Sequence, residues 1–173
     1  MPKVSNRLFC FLGSTIGNFT TDEVEKFMTL LGEEMQEGDS LLMGMDMIKD
    51  ISTIEKAYND SRGITALFNK NILNVVNSLI GSNFNPDYFE HVAFYNKKVD
   101  RIEMHLKAQQ NMVVAFNEIA DIISFKKGET IHTENSHKFN NMSIETIGYW
   151  AGLNVQKIVD DDKKWFSLVH YKK

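Results

Sequence analysis

The first apolar stretch of the chain, Leu8-Phe9-Cys10-Phe11-Leu12, contains no polar residue. A strand without polar alternation is one expected to be buried on both faces, as in a parallel α/β sheet, so Arg7–Leu12 is predicted to be such a strand. It runs into Gly13-Ser14-Thr15-Ile16-Gly17-Asn18 and then Thr20-Thr21-Asp22-Glu23. The second tetrapeptide is a capping box, in which Thr20 caps a helix and Glu23 reaches back. Val24, Phe27, Met28, Leu31 and Met35 recur at helical spacing and define one apolar face. Gly38 is expected to close that helix. Ser40–Met47 repeats the apolar strand pattern. Strand–helix–strand in this order predicts a right-handed parallel crossover, with Asp46 near the opening turn.

The pattern then changes. Residues 51–59 read as a short helix. Ile64, Leu67, Phe68, Ile72, Val75, Val76 and Leu79 mark a longer one, closed by Gly81. After Asn83-Phe84-Asn85-Pro86 the period becomes two: residues 91–95, 101–108 and 112–116 read as antiparallel strands, with Lys97-Lys98 in a turn. In the middle strand Ile102, Met104 and Leu106 alternate with Glu103, His105 and Lys107, which predicts one apolar and one polar face. Residues 129–136 read as extended or irregular. Ile144, Ile147, Trp150 and Ala151 mark a last helix ending near Gly152, and two strands follow around a polar turn at 160–164. The fold class is therefore α/β at both ends of the chain, with an α+β insertion of some 90 residues between them (roughly, from the spans of the predicted elements).

Composition narrows the function classes. A length of 173 residues is enough for a real core, and 43% apolar with 24% charged residues is ordinary for a globular protein. A net charge of −4 offers no electrostatic reason for nucleic acid or an anionic membrane as partner. No apolar stretch approaches the roughly 20 residues of a membrane span. Met1-Pro2-Lys3-Val4 begins no signal-peptide apolar core. The lone Cys10 cannot form an internal disulfide and is expected to be a small buried hydrophobe. A cytoplasmic protein is the resulting expectation.

Three stretches can carry chemistry. Gly13–Asn18 invites comparison with a phosphate loop but lacks the third glycine of the dinucleotide fingerprint and any following Gly-Lys-Ser/Thr. Its glycines still permit close approach to a ligand, and Asn18 offers a donor and an acceptor. The bland alternative is a strand-to-helix turn shaped by Asn18. Tyr58, at the end of the short helix, is either a packing residue with a wet hydroxyl or a ligand contact. His132-Thr133-Glu134-Asn135-Ser136-His137 is the densest polar cluster. Its spacing is not that of a helical zinc motif, and a metal is the weaker option. On an extended strand His132, Glu134 and Ser136 share a face. Glu134 beside Ser136 suits a ligand with an N–H and a ring nitrogen.

The same stretches resemble a known family. Phe11-Leu-Gly-Ser-Thr-Ile-Gly-Asn18, Ala57-Tyr-Asn-Asp60 with Gly63-Ile-Thr-Ala66 and Phe68-Asn69, Phe89-Glu90-His91 with Ala93-Phe94-Tyr95, Arg101-Ile-Glu-Met-His105 and Gly128–Ser136 are similar to the SAM-dependent, histidine-specific Nα-methyltransferases. The best-known members act in ergothioneine biosynthesis. The resemblance covers essentially the whole chain. It implies a partial class I methyltransferase (Rossmann-like) sheet in residues 1–47 and 139–173, with an inserted α+β substrate-binding domain in 48–138. It implies Asn18 at the amino-acid end of the substrate and Tyr58 on its carboxylate. Glu134 and Ser136 would grip the imidazole with Asn135 between them, and Met104 would form a pocket wall over the ring. Gly13 and Thr65 are weaker candidates near the amino and carboxylate groups. No general base is assigned, and no metal.

The resemblance also implies S-adenosyl-L-methionine (SAM) as cofactor and L-histidine, or a similar amino acid, as substrate. The family's SAM loop lies upstream of the motifs matched here, so this chain is expected to be inactive alone. The alternative is a non-enzymatic histidine-binding module or an inactive remnant. The Arg7–Leu12 strand is expected to form a sheet edge that pairs with a second copy, or with the family's N-terminal half.

Overall fold

A computed structural model describes residues 6–173; the start of the chain, read above as lacking an apolar leader, lies outside them. The described residues form two compact units. The first runs through Lys49 and includes Lys97–Arg101 and Asn135–Lys173; the second comprises Asp50–Asn96 and Ile102–Glu134.

The first unit is built on strands β1 (Leu8–Phe11) and β2 (Ser40–Asp46), joined by helix α1 (Thr21–Glu34). As the pattern predicts, β1 and β2 are parallel, with Phe9 opposite Leu41 and Phe11 opposite Met43. Helix α4 (Asn141–Trp150) precedes the closing hairpin of β8 (Asn154–Asp160) and β9 (Phe166–Lys172). β9 inserts antiparallel between β2 and β8, giving the order β1-β2-β9-β8. Leu41, Met43, Met45, Val169 and Tyr171 pack with Val24 and Met28 of α1 and with Ile144 and Ile147 of α4. Each such side chain, once removed from water, contributes about 1.5–3 kcal/mol before entropy is subtracted. The two helices approach closely at Gly32, where a Cβ would sit 2.2 Å from the Ala151 carbonyl oxygen.

The capping box is present: Thr20 Oγ1 accepts from the Glu23 N–H, and Glu23 Oε2 accepts from the Thr20 N–H at 2.7 Å. The helix ends earlier than expected, with Met35 rather than Gly38 as its cap region. Gly38, at φ 92°, instead serves the following turn, which closes through Asp39 N–H to Gln36 O. That turn is secured because Asp39 accepts from the N–H groups of Arg7 and Gln36 and from the Arg7 guanidinium. The expectation that the first strand is buried on both faces is corrected. β1 is an edge strand whose Phe9 and Phe11 pack on the core, while Leu8 is 61% exposed and Cys10 is exposed. A run of apolar residues reads the same whether the second face is covered or not.

The second unit begins with α2 (Ile51–Tyr58) and α3 (Ile64–Ile80), the latter closed by a left-handed Gly81 as expected. Strands β3 (Phe89–Asn96), β4 (Arg101–Ala108) and β7 (Thr130–His137) form one sheet in that order. β5 (Met112–Phe116) pairs not with β4 but with β6 (Asp121–Phe125), a strand that sequence reading missed. Most of β6 is exposed, so tertiary burial imposes little pattern on it. The predicted polar face of β4 is not a wet one. Glu103 is buried, and His105 stacks between Phe94 (ring centroids 5.4 Å apart) and His132 (4.5 Å apart).

Candidate functional site

In the first unit the opening turn is a single 3-10 turn, Thr15–Asn18, entered through Gly13 and Ser14, both at positive φ. Its own groups are largely spent on the turn: Gly17 N–H bonds Ser14 O, Phe19 N–H bonds Ile16 O, and Thr15 Oγ1 donates to Leu12 O. This explains in geometry why it is no phosphate cradle, which needs its N–H groups turned outward. Asn18 stands exposed at the end of the turn.

Two contacts fix the position of the turn. Ser14 Oγ accepts from the Asp46 N–H at 2.9 Å, tying it to the carboxyl end of β2. Gly17 lies against β7: a Cβ there would be 2.9 Å from His137 O and 3.2 Å from His137 N. Asn18 and the Asn135–Ser136 end of β7 are therefore carried on backbone segments that touch. The same end of β7 is joined to β2 by an ionic link. Lys138 Nζ is 2.9 Å from Asp46 Oδ2 and donates to Ser136 Oγ at 2.7 Å. Lys49 also contacts the Asp46 carboxylate. Asn135 Oδ1 is buried and has no hydrogen-bond partner in the protein.

In the second unit Tyr58 is the last residue of α2 and packs on a cluster that includes Ile54, Tyr95, Ile102 and Met104. Met104 is 3% exposed. The carboxyl end of α2 is held by His91, whose Nε2 contacts Tyr58 O at 2.9 Å while Nδ1 contacts Asn69 Nδ2 at 2.9 Å. A carbonyl only accepts, so His91 carries its proton on Nε2 and accepts through Nδ1. Thr65 lies in the first turn of α3, where Asp60 accepts from the Ile64 and Thr65 N–H groups at 3.0 and 2.8 Å. These bonds hold the Asp60 carboxyl down at about 2. Glu134 is the last residue assigned to this unit, two positions before Ser136 on β7.

Sequence reasoning missed Lys138, whose isolated appearance after the polar cluster carries no periodic signal. It also missed the grouping of His132: its ligand-type atoms, with those of Glu103 and His105, lie within 4.8 Å of one another. The two imidazoles are stacked with planes 14° apart and ring centroids 4.5 Å apart, so their lone pairs lie in two separate, nearly parallel planes, a poor arrangement for sharing one ion. A cavity of about 310 Å³ in the first unit is lined by Phe19, Val24, His137, Ile147 and Trp150 among others; of the polar cluster it takes in His137, and its lining includes none of the substrate-binding residues that the family resemblance implies. His137 has its pKa lowered by burial, and next by the Arg101 charge.

An open α/β sheet with a parallel edge pair, an antiparallel final strand slotted inward, and a turn at the carboxyl end of β1 defines the class: a class I methyltransferase-type (Rossmann-like) sheet, here with an α+β insertion. The model for "Histidine-specific methyltransferase, SAM-dependent" matches residues 1–173, and the chain belongs to that family. It is 41% identical over 168 residues to a histidine N-alpha-methyltransferase of Mycobacterium tuberculosis (strain CDC 1551 / Oshkosh), covering 97% of this chain and 52% of that protein. It is 44% identical over 153 residues to the histidine N-alpha-methyltransferase of Mycolicibacterium smegmatis, covering 88% and 48%. The chain thus spans about half the length of these curated relatives. Among solved structures, an S-adenosylmethionine-dependent methyltransferase from Clostridium acetobutylicum aligns at a TM-score of 0.47 and 10% identity, covering 98% of this chain and 59% of that one.

Proposed function

We propose that this chain supplies the amino-acid-binding part of an enzyme that methylates the α-amine of L-histidine. The observation that supports it is the continuity of the first unit's polar contacts, from the turn of Asn18 through Ser14, Asp46 and Lys138 to Ser136. In this reading Asn18 holds the amino-acid end, and Tyr58 takes the carboxylate. Glu134 accepts from the imidazole N–H, Ser136 addresses the second ring nitrogen, and Asn135 lies between them. Met104 forms a wall for the ring, and Gly13 and Thr65 flank the amino and carboxylate groups. The residues' contribution is to hold an uncharged amine in a fixed direction, since positioning alone accounts for much of such a rate. A carboxylate on the ring N–H selects histidine over apolar aromatics, because an unpaired Glu134 would be costly.

SAM is the methyl donor that family membership implies. Among the described residues, none is assigned to its ribose. The acidic side chain at the carboxyl end of β2, Asp46, is already engaged by Lys138 and Lys49. No step is therefore routed through SAM, and these 173 residues by themselves are expected to give no robust turnover. β1, with its open edge, would pair with a second copy or with the rest of the family's length.

Calorimetry with L-histidine tests the reading. The chain should bind histidine, and Glu134→Ala should weaken binding about 100-fold, as loss of a charged hydrogen-bond partner does. Unchanged affinity in the variant would sink the pocket assignment. Binding without any methyl transfer, even when the rest of the family's length is supplied, would favour a non-enzymatic histidine module.

A further inference from the structure

Helix α3 has two apolar faces, and the second unit covers only one of them. Leu73 is 2% exposed and packs with Val76 and Ile80 in that unit's core. On the outer side Ile64, Leu67, Phe68, Ile72, Val75 and Leu79 are each 40–70% exposed. At about 100° per residue, Ile64, Phe68, Ile72, Val75 and Leu79 fall within an arc of about 80°. They form a seam roughly 22 Å long, with the alternating steps of three and four residues found where one helix packs on another. Single exposed apolar residues are ordinary, whereas a contiguous stripe of this size marks an interaction surface.

Two properties of the seam point to its occupant. The first is its order, which is nearly the same in both directions. Ile64 and Leu79 lie equally far from the midpoint between Asn71 and Ile72, and so do Phe68 and Val75. A helix laid antiparallel on its own copy therefore sets Ile64 against Leu79 and the large Phe68 against the small Val75, with Ile72 beside the two-fold axis. An isologous interface requires this self-complementarity, and large side chains facing small ones interlock. An unrelated partner imposes no such symmetry. The second property is charge. Lys70 is the only charged residue of α3, and it lies on the side of the helix opposite the seam. The antiparallel pair thus brings no like charges together, and no charge pattern along the seam selects a different partner.

We propose that the outer face of α3 is a homodimer interface, in which two copies of this chain pair α3 against α3, antiparallel, across a two-fold axis beside Ile72. Each of the six outer side chains would lose roughly 100 Å² to the other copy. About 1,200 Å² over both copies reaches the lower bound of a specific interface and suits a dissociation constant on the order of micromolar. The contact uses the second unit alone and is independent of the open β1 edge.

Sedimentation equilibrium of charge variants of the whole chain tests the register. Phe68 is 68% exposed, so Phe68→Glu should leave the fold intact, as urea unfolding checks. It should weaken the dimer about 100-fold, because pairing would bury an unpaired carboxylate. Val75→Lys should act similarly. Combining Phe68→Glu with Val75→Lys should recover about tenfold or more, since each carboxylate then faces an ammonium of the other copy. A parallel pairing would set like charges together and give no rescue. Cross-linking in a Cys10→Ser background is the independent readout. On oxidation, Phe68→Cys mixed with Val75→Cys should give a disulfide-linked dimer, and Phe68→Cys alone should not. A wild-type chain that stays monomeric well above micromolar concentration overturns the inference. So does a mass profile indifferent to Phe68→Glu, a double variant without rescue, or Phe68→Cys joining to itself. If a chain carrying the rest of the family's length binds the wild type but not Phe68→Glu, while self-association is the same in both, the face belongs to that partner and the inference falls.

Discussion

Gly17→Ala adds one methyl group where the opening turn lies on β7, and two opposing effects can be weighed. Gly17 is not among the positive-φ glycines, so alanine fits the backbone there. Replacing glycine at a compatible position stabilises by about 0.4–1 kcal/mol through the unfolded chain. Against this, the new Cβ would stand 2.9 Å from His137 O and 3.2 Å from His137 N. Both are backbone atoms, and the strand end that carries them is tethered by Lys138 N–H to Asp100 O and Phe139 N–H to Asp46 O. It cannot yield as the tip of a flexible side chain would. Overpacking of this kind costs about 1–3 kcal/mol, so the clash wins and the net loss is about 1–2 kcal/mol. Urea unfolding should show the midpoint lowered by about 0.5–1 M. Histidine affinity should fall as well, because the turn that moves carries Asn18. A variant as stable as the wild-type chain, or more so, would show that the turn does not rest on His137 and would refute the argument.

Acid should weaken the first unit in a defined window. The Asp39 carboxyl is held at about 2, chiefly by hydrogen bonds from the Arg7 side chain and then from the Gln36 and Arg7 N–H groups. Its folded value lies below the unfolded one, so the stabilisation is complete above about pH 4 and is lost as pH falls towards 2. Asp39→Asn should flatten the urea midpoint against pH across that range; an unaltered slope would count against the link. The open β1 edge, with Leu8 at 61% and Leu12 at 50% exposure, should drive self-association, seen as a rise in weight-average mass with concentration in sedimentation equilibrium. A strictly monomeric profile at high concentration would refute it.

What was legible in the sequence is what local physics repeats along the chain. The capping box at Thr20–Glu23, the apolar stripe of α1, the parallel β1–α1–β2 unit, the glycine stop of α3 and the two-residue period of β4 each express one rule over several residues. The motif series also sufficed to recognise the family. What the sequence could not decide was coverage and direction. Leu8 to Leu12 reads as a buried strand, but which of its faces is covered depends on elements far along the chain. β6 has no buried face to impose a pattern, and β5 turned to it rather than to β4. The polar face of β4 became an interior stack because Phe94 and His132 arrive from other strands. Lys138 is the plainest instance. In sequence it is one more charge after a polar run, and only the fold brings Asp46, more than ninety positions earlier, to its ammonium. Local pattern records what a segment prefers, while pairing between distant residues depends on the closure of the whole chain.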